Sequence, residues 1–339
     1  MSEIKVLDCT LRDGGYITNW EFKDDMIRET IKGLMDAQID FIEVGYLNPK
    51  GRDTDGTQFK SIETIKRILP EGKRECLFLA MADVLQFQPE DLTECDSTSI
   101  EAIRVVFYKH QIEEAFTLGK AVKQAGYKLF MQPMVTIDYS LQEYAALVEQ
   151  LAAIEPYGVS IVDSFGYMMK EDFRKYFMIL DDNLGKDVLI GFHSHNNMNL
   201  AFITAQDVME YETNRTLVLD ASLYGMGRGA GNLQTELITN YSNMFRGNKY
   251  DVSKILALTG KYVLPVQKRR TWGYSPYMLI TGMYHCHPNF ACYLLEEYPN
   301  VSVDAFEAYI KSIPEEMKTK CRKPYVLEQW QRMVGQGEK

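Results

Sequence analysis

Eight short apolar or β-branched runs, each followed by an amphipathic stretch, recur along the first 245 residues, and that alternation confines the chain to an α/β architecture. The runs are Ile4–Cys9, Phe41–Val44, Arg74–Ala80, Ala102–Phe107, Tyr127–Met134, Gly158–Val162, Val188–Phe192 and Thr216–Leu219. Helices are expected near 24–37, 59–69, 88–94, 111–125, 140–154, 170–183, 197–211 and 231–245. In the first of these, Ile27, Ile31, Leu34 and Met35 fall on one face. Eight such units fit a closed (β/α)8 barrel of the TIM type; the alternative is an open doubly wound sheet. Unusual polar residues sit just after the C-terminal ends of several strands, where a barrel places its active site, and this favours the barrel.

The alternation stops near residue 246. The chain therefore reads as a catalytic barrel over 1–245 and a helical C-terminal region over 246–339, rich in aromatics such as Trp272, Tyr274, Tyr277, Tyr284, Phe290 and Tyr293. Gly335–Lys339 read as a frayed end. A formal net charge of −10 argues against nucleic acid or an anionic membrane surface as partner. The N-terminus carries no signal-peptide pattern, and no apolar run approaches the roughly 18–20 residues that span a bilayer. Six cysteines without CxxC spacing read as free thiols in a reducing compartment, so a cytoplasmic location is expected.

Three segments concentrate chemistry. The first strand delivers Arg12 and Asp13 followed by two glycines; a buried charged pair there needs either an ion-pair partner or a ligand, and the segment alone leaves both open. In the seventh strand's run, His193 and His195 are two residues apart, so in extended chain both imidazoles face one side. They are either satisfied polar packing or a ligand pair, and imidazole with carboxylate suits manganese, cobalt, iron or zinc. After the eighth strand, Gly225 to Asn232 form a glycine-rich loop whose dinucleotide-like spacing lacks a following βαβ unit. The loop is read as a close backbone approach to substrate or metal, with Asn232 a candidate amide-oxygen ligand, or as a plain flexible connection. Glu43, a lone acid within an apolar strand, needs a cation, and Arg12 is the economical partner. Arg104 reads as a structural ion pair. The second HxH, His285 and His287, reads as packing or interface.

Taken together, Thr10-Leu11-Arg12-Asp13-Gly14, Ile42-Glu43-Val44-Gly45, His193-Ser194-His195-Asn196 and the loop ending Gly231-Asn232 resemble the DRE-TIM metallolyase (HMGL-like) superfamily, across the whole barrel and in the same order. Val162 to Gly166 and Gly273 to Tyr277 make the 4-hydroxy-2-oxovalerate aldolase branch the nearest likeness. The resemblance implies a divalent metal, manganese first, with magnesium, cobalt or zinc as alternatives. It implies Asp13, His193 and His195 as ligands with Asn232 close by. Arg12 would polarise the substrate carbonyl, Glu43 would orient Arg12, Ser164 would bind the substrate carboxylate, and Tyr277 would stand in the active site. The implied reaction makes or cleaves a 4-hydroxy-2-oxo acid through a pyruvate enolate. A homo-oligomer and an acylating aldehyde dehydrogenase partner belong to the same implication.

Two departures stand out. The branch's base histidine is replaced by Tyr16, whose ordinary pKa near ~10 makes it a poorer base than imidazole; the readings open are a general acid, a phenol activated by the metal, proton transfer by Tyr277 or Tyr274, and a different substrate. No residue of 225–232 is cysteine, which argues against hydroxymethylglutaryl-CoA lyase activity. A Claisen-type acyl-CoA/2-oxo acid synthase and a barrel acting mainly as a subunit of an enzyme complex are the alternatives. The first usually carries larger C-terminal additions than the ~95 residues left here; the intact Arg-Asp, HxH and Glu set weighs against the second.

Overall fold

The protein is described here from a computed structural model that covers residues 2–337 apart from 73 and 97. Nine parallel strands follow in chain order: β1 (Glu3–Asp8), β2 (Phe41–Arg52), β3 (Gln58–Phe59), β4 (Leu77–Asp83), β5 (Ala102–Phe107), β6 (Lys128–Pro133), β7 (Gly158–Asp163), β8 (Leu189–Ser194) and β9 (Thr216–Ala221). Their order is β1-β9-β8-β7-β6-β5-β4-β2, and β1 pairs with β2 to close an eight-stranded barrel; β3 is a short extra strand on β2.

The expected helices form where the apolar stripe is long. Asp24–Asp36 buries Ile27, Thr30, Ile31 and Leu34, and Leu141–Ile154 buries Tyr144, Leu147, Val148 and Leu151. Two expectations are corrected. The segment at 88–94 makes one 3-10 turn, Pro89–Asp91: Asp91 caps the Gln88 N–H at 2.9 Å, and the backbone turns extended at Leu92. The helix expected at 59–69 begins only at Ile62, because Phe59 is recruited into β3 and Ser61 caps the turn through the Thr64 N–H. The strand expected from Arg74, β4, likewise starts at Leu77; the Arg74 guanidinium is tied to the Thr98 carbonyl (2.9 Å) and to Glu101 (3.4 Å).

Strand periodicity builds the interior in layers. Leu7, Phe41, Leu79, Ala102, Phe130, Leu189 and Val218 form an apolar floor inside the barrel. Two residues further along their strands, Phe41, Ala102, Phe130 and Val218 give way to Glu43, Arg104, Gln132 and Asp220, all buried. The floor thus carries a polar layer directly beneath the C-terminal mouth.

Tyr250, Ile255, Leu258, Val263 and Trp272 pack into the barrel's own core, whereas Met278 through Trp330 form a second cluster. We propose that the division between barrel and appendage falls after Trp272, later than the break in alternation at 246. The last helix, Lys323–Gly337, runs into the segment expected to fray; Glu338 and Lys339 lie outside the described residues. No helix among the described residues is long and apolar enough to cross a membrane.

Candidate active site and metal centre

The polar layer is a closed ion network. Arg104 grips Asp220 with two nitrogens, at 2.6 and 3.2 Å, and its Nε lies 3.5 Å from Glu43. Arg12 meets the other Glu43 oxygen at 2.7 Å through Nε and reaches Asp13 through Nη1. All five side chains are at most 5% exposed. Glu43 is therefore the hub that holds both guanidiniums, and Arg104 is the ion-pair residue its sequence context suggested.

Asp13 sits on the single helical turn Thr10–Asp13 that follows β1. Burial pushes its carboxyl up, but Arg12 and the two histidines outweigh burial and hold it well below the usual range, so it is ionised. Its Oδ2 lies 3.5 Å from His193 Nε2 and accepts the Asn232 amide at 2.7 Å. His193 donates Nδ1–H to Asp220 at 3.1 Å, which orients the ring with Nε2 facing Asp13. His195 donates Nδ1–H to the Asp163 carbonyl at 3.1 Å. Desolvation, then the neighbouring His193, lower the His195 pKa to about 3, so its ring is neutral. The two rings stand nearly perpendicular, 5.1 Å apart.

The loop after β9 brings Asn232 in. Gly231 holds φ +81°, and a Cβ there would lie 2.1 Å from the Gly225 carbonyl oxygen; a Cβ at Gly227 would lie 2.7 Å from the Asn232 amide nitrogen. The glycines serve the loop's closure around Asn232.

Three buried polar atoms at this centre have no partner: Arg12 Nη2, His195 Nε2 and Asn232 Oδ1. A guanidinium N–H, an imidazole lone pair and an amide oxygen left dry are costly unless a ligand completes them. An imidazole lone pair and an amide oxygen beside an ionised carboxylate suit a divalent cation. The tightest group of ligand atoms, all within 4.8 Å, is Cys9, Asp13 and His193. The Cys9 thiol is pushed well up by burial and by Asp13 and donates to the Ala221 carbonyl at 3.2 Å, so it stays a packed thiol. His195 is not in that group, but its unpartnered Nε2 offers a lone pair without a proton to lose.

The other expected residues divide. Ser164 follows β7, and its hydroxyl accepts the Val135 N–H at 2.8 Å, leaving its own proton to donate. Tyr16 lies under Arg228, whose guanidinium carbon is 4.8 Å from the ring centroid, and against Trp20 at 5.1 Å. Desolvation raises the Tyr16 pKa, partly offset by Arg228 and Arg12, so the phenol keeps its proton. Tyr277 is not brought to Asp13: its hydroxyl donates to the Val301 carbonyl at 2.5 Å and its ring packs on Phe306 in the C-terminal cluster.

Three residues with a place at the site were not singled out for it. Asp220 orients His193; its signal was the i+2 step from the apolar Val218. Arg228 and His287 approach from the glycine-rich loop and from the turn between Pro276–Met283 and Asn289–Glu297. His285 stacks on Tyr167 at 4.4 Å, while His287 is buried against Phe165 at 5.2 Å.

Residues 3–260 match the family model described as HMGL-like. Among curated relatives, 4-hydroxy-2-oxovalerate aldolase 6 of Rhodococcus jostii (strain RHA1) is 24% identical over 241 residues, covering 70% of this chain and 66% of that protein. Oxaloacetate decarboxylase of Mycobacterium tuberculosis (strain ATCC 25618 / H37Rv) is 26% identical over 241 residues, covering 69% and 68%. Among solved structures, the N-terminal domain of a candidate aldolase from Bacteroides vulgatus superposes with TM-score 0.76 at 25% identity, over 91% of this chain and all of that one.

Proposed function

Because the chain belongs to the HMGL-like family, we propose that it is a divalent-metal-dependent aldolase-type lyase that cleaves or forms a 4-hydroxy-2-oxo acid through a pyruvate enolate. The observation that carries this reading is the trio of dry, unpartnered atoms around Asp13: Arg12 Nη2, His195 Nε2 and Asn232 Oδ1. Asp13, His193 and His195 would hold the ion, with Asn232 beside them and manganese the first candidate. A bound divalent cation would supply Lewis-acid polarisation of the 2-oxo group.

The protein's own residues do the rest. Cleavage breaks C3–C4, and its electron pair passes into the C2–C3 enolate while the 4-hydroxyl loses its proton and departs as an aldehyde. Arg12 offers Nη2–H to the oxygen on which charge develops, and Glu43 and Asp13 fix the guanidinium so that little reorganisation is needed. Ser164 donates to the substrate carboxylate. Three carboxylates (Asp13, Glu43, Asp220) face two guanidiniums (Arg12, Arg104) in the inner cluster, an excess of negative charge that suits a dication. Tyr16 keeps its proton and is 38% exposed, so it returns a proton to the enolate carbon, and the 4-hydroxyl proton leaves to water at the mouth.

The protonated Tyr16 also favours a second reading. Decarboxylation of a 2-oxo dicarboxylate, the activity in the name of the Mycobacterium tuberculosis relative, expels the same enolate and needs a proton donor without a base. The test is pyruvate release from a panel of 4-hydroxy-2-oxo acids and from oxaloacetate, with added manganese and with a chelator. Chelator-sensitive pyruvate with stoichiometric aldehyde supports the aldolase; carbon dioxide without aldehyde supports the decarboxylase. Turnover that survives complete metal removal would sink both.

A further inference from the structure

Arg228 is a cation without an anion. Its Nε is buried with no hydrogen-bond partner, and among the described residues no carboxylate lies within ion-pair distance of its guanidinium. Apart from Asp13, which acts on it from beyond ion-pair distance, its neighbours are donors or neutral groups. Tyr16 lies beneath the guanidinium, and the phenols of Tyr16 and Tyr108, with pKa raised above the ordinary value, keep their protons. His287 is held neutral by burial and by the charge of Arg228. Its Nδ1 accepts the Asn289 N–H at 3.0 Å, so the ring's proton is on Nε2, a further donor.

The arginine is also held in place. Next to it, Gly229 adopts φ +67°, and a Cβ there would lie 3.0 Å from Pro288; the Ala230 N–H donates to Asn197 Oδ1 at 3.2 Å. The loop is thus pinned between the barrel and the 285–289 turn, and Arg228 sits at the same mouth as Tyr16 and feels Asp13.

Resting on the enolate chemistry proposed above, we infer that Arg228, with His287 and Tyr16, is a specificity-determining anion subsite for the far end of the substrate. The aldehyde fragment then carries a terminal carboxylate or phosphate. A half-buried guanidinium whose Nε has no partner gains from an anion that brings its own charge, because charge-assisted hydrogen bonds are the strong ones. The same residue separates the two reaction types. A carboxylate held by Arg228 is stabilised as an anion, which opposes its loss as carbon dioxide but leaves an aldol cleavage unhindered.

The test compares three 4-hydroxy-2-oxo acids whose tails end in methyl, carboxylate and phosphate. In the manganese-loaded wild type, kcat/KM for one anionic tail exceeds that for methyl by about tenfold or more. Arg228→Met collapses that ratio towards one, and Arg228→Lys keeps part of it. The carboxylate and phosphate arms tell which anion is used. An unchanged ratio in Arg228→Met, or an equal fall for all three tails, overturns the inference, the latter by assigning Arg228 to the C1 carboxylate. Calorimetric titration with glutarate against butyrate gives a readout without turnover: glutarate binds about tenfold tighter to the wild type, and the difference disappears in Arg228→Met. Equal affinities in the wild type refute the subsite. Absence of pyruvate from every tail alongside a glutarate preference refutes the aldolase reading and leaves the subsite standing.

Discussion

Replacing Asp220 by asparagine separates the stability of the polar layer from its chemistry. Asp220 accepts two bonds from Arg104 and one from His193 and is fully buried, with a carboxyl that Arg104 and His193 hold below the ordinary range against the pull of burial. Asparagine keeps the volume and one acceptor oxygen but removes the charge, leaving Arg104 with only the longer contact to Glu43. Removing one partner of a buried pair outright costs about 3–5 kcal/mol; with an acceptor retained, we expect about 2–3 kcal/mol, read from urea unfolding of the metal-free protein. His193 also loses the carboxylate that orients its ring, and manganese affinity falls by about 10–100-fold in a competition titration. Adding Arg104→Met removes the stranded charge. The double variant recovers part of the stability, with a coupling of about 1–3 kcal/mol, but none of the metal affinity. Additive losses in stability would falsify the ion-pair account, and metal affinity restored by Arg104→Met would remove Asp220 from its role in orienting His193.

Arg12→Lys keeps a charge but cannot bridge Glu43 and Asp13 while offering a further N–H; kcat is expected to fall by about a hundredfold or more with the metal retained, and near-normal turnover would contradict this. Tyr16→Phe removes the proton donor: enolate proton exchange, followed by deuterium uptake into pyruvate, slows by about 10²–10⁴-fold, and unchanged exchange excludes Tyr16 as the acid. His195→Gln abolishes tight metal binding while the fold is retained, as metal analysis and circular dichroism can check. His195 also gives a pH signature in the metal-free protein. Its folded pKa is about 3 against 6.5 for the free side chain, so its contribution to stability is present above pH 6.5 and is lost as pH falls through 6.5 towards 3. Across that window the wild type should lose up to about 1.4 kcal/mol per pH unit relative to His195→Gln, and parallel stability curves would contradict the neutral, buried ring.

Much of this architecture is legible in the sequence because one rule, the two-residue repeat of extended chain, both draws the strands and aims their side chains. It brings His193 and His195 to one face, and it turns the apolar floor into the layer of Glu43, Arg104, Gln132 and Asp220. The chemistry of a lone acid in an apolar strand then points from Glu43 to Arg12. What the repeat does not carry is closure. Arg104 and Asp220 are 116 residues apart and meet only across the finished barrel. The 88–94 segment has the composition of a helix, yet a capped proline turn suffices between β4 and β5. The C-terminal region was the least legible for a related reason. His287 and Tyr277 have no strand to fix their direction, and tertiary packing sends one towards the site and the other into the Val301 turn.

The reading of Tyr16 as an acid and of Arg228 as an anion site support each other physically. A guanidinium over a phenol lowers the phenol's pKa, and here that lowering is outweighed by desolvation, so the phenol stays protonated while the cation remains uncompensated. An arriving anion would neutralise Arg228, remove its pull on the phenolate form, and raise the Tyr16 pKa further. Binding of the substrate's anionic tail would therefore secure the donor state of the residue proposed to return the proton to the enolate. A tail without charge would leave the buried Nε of Arg228 without a partner. The phenol of Tyr16 and an arginine in the glycine-rich loop that, among the described residues, has no carboxylate partner are, on this argument, one adaptation of the barrel's mouth to a substrate charged at both ends.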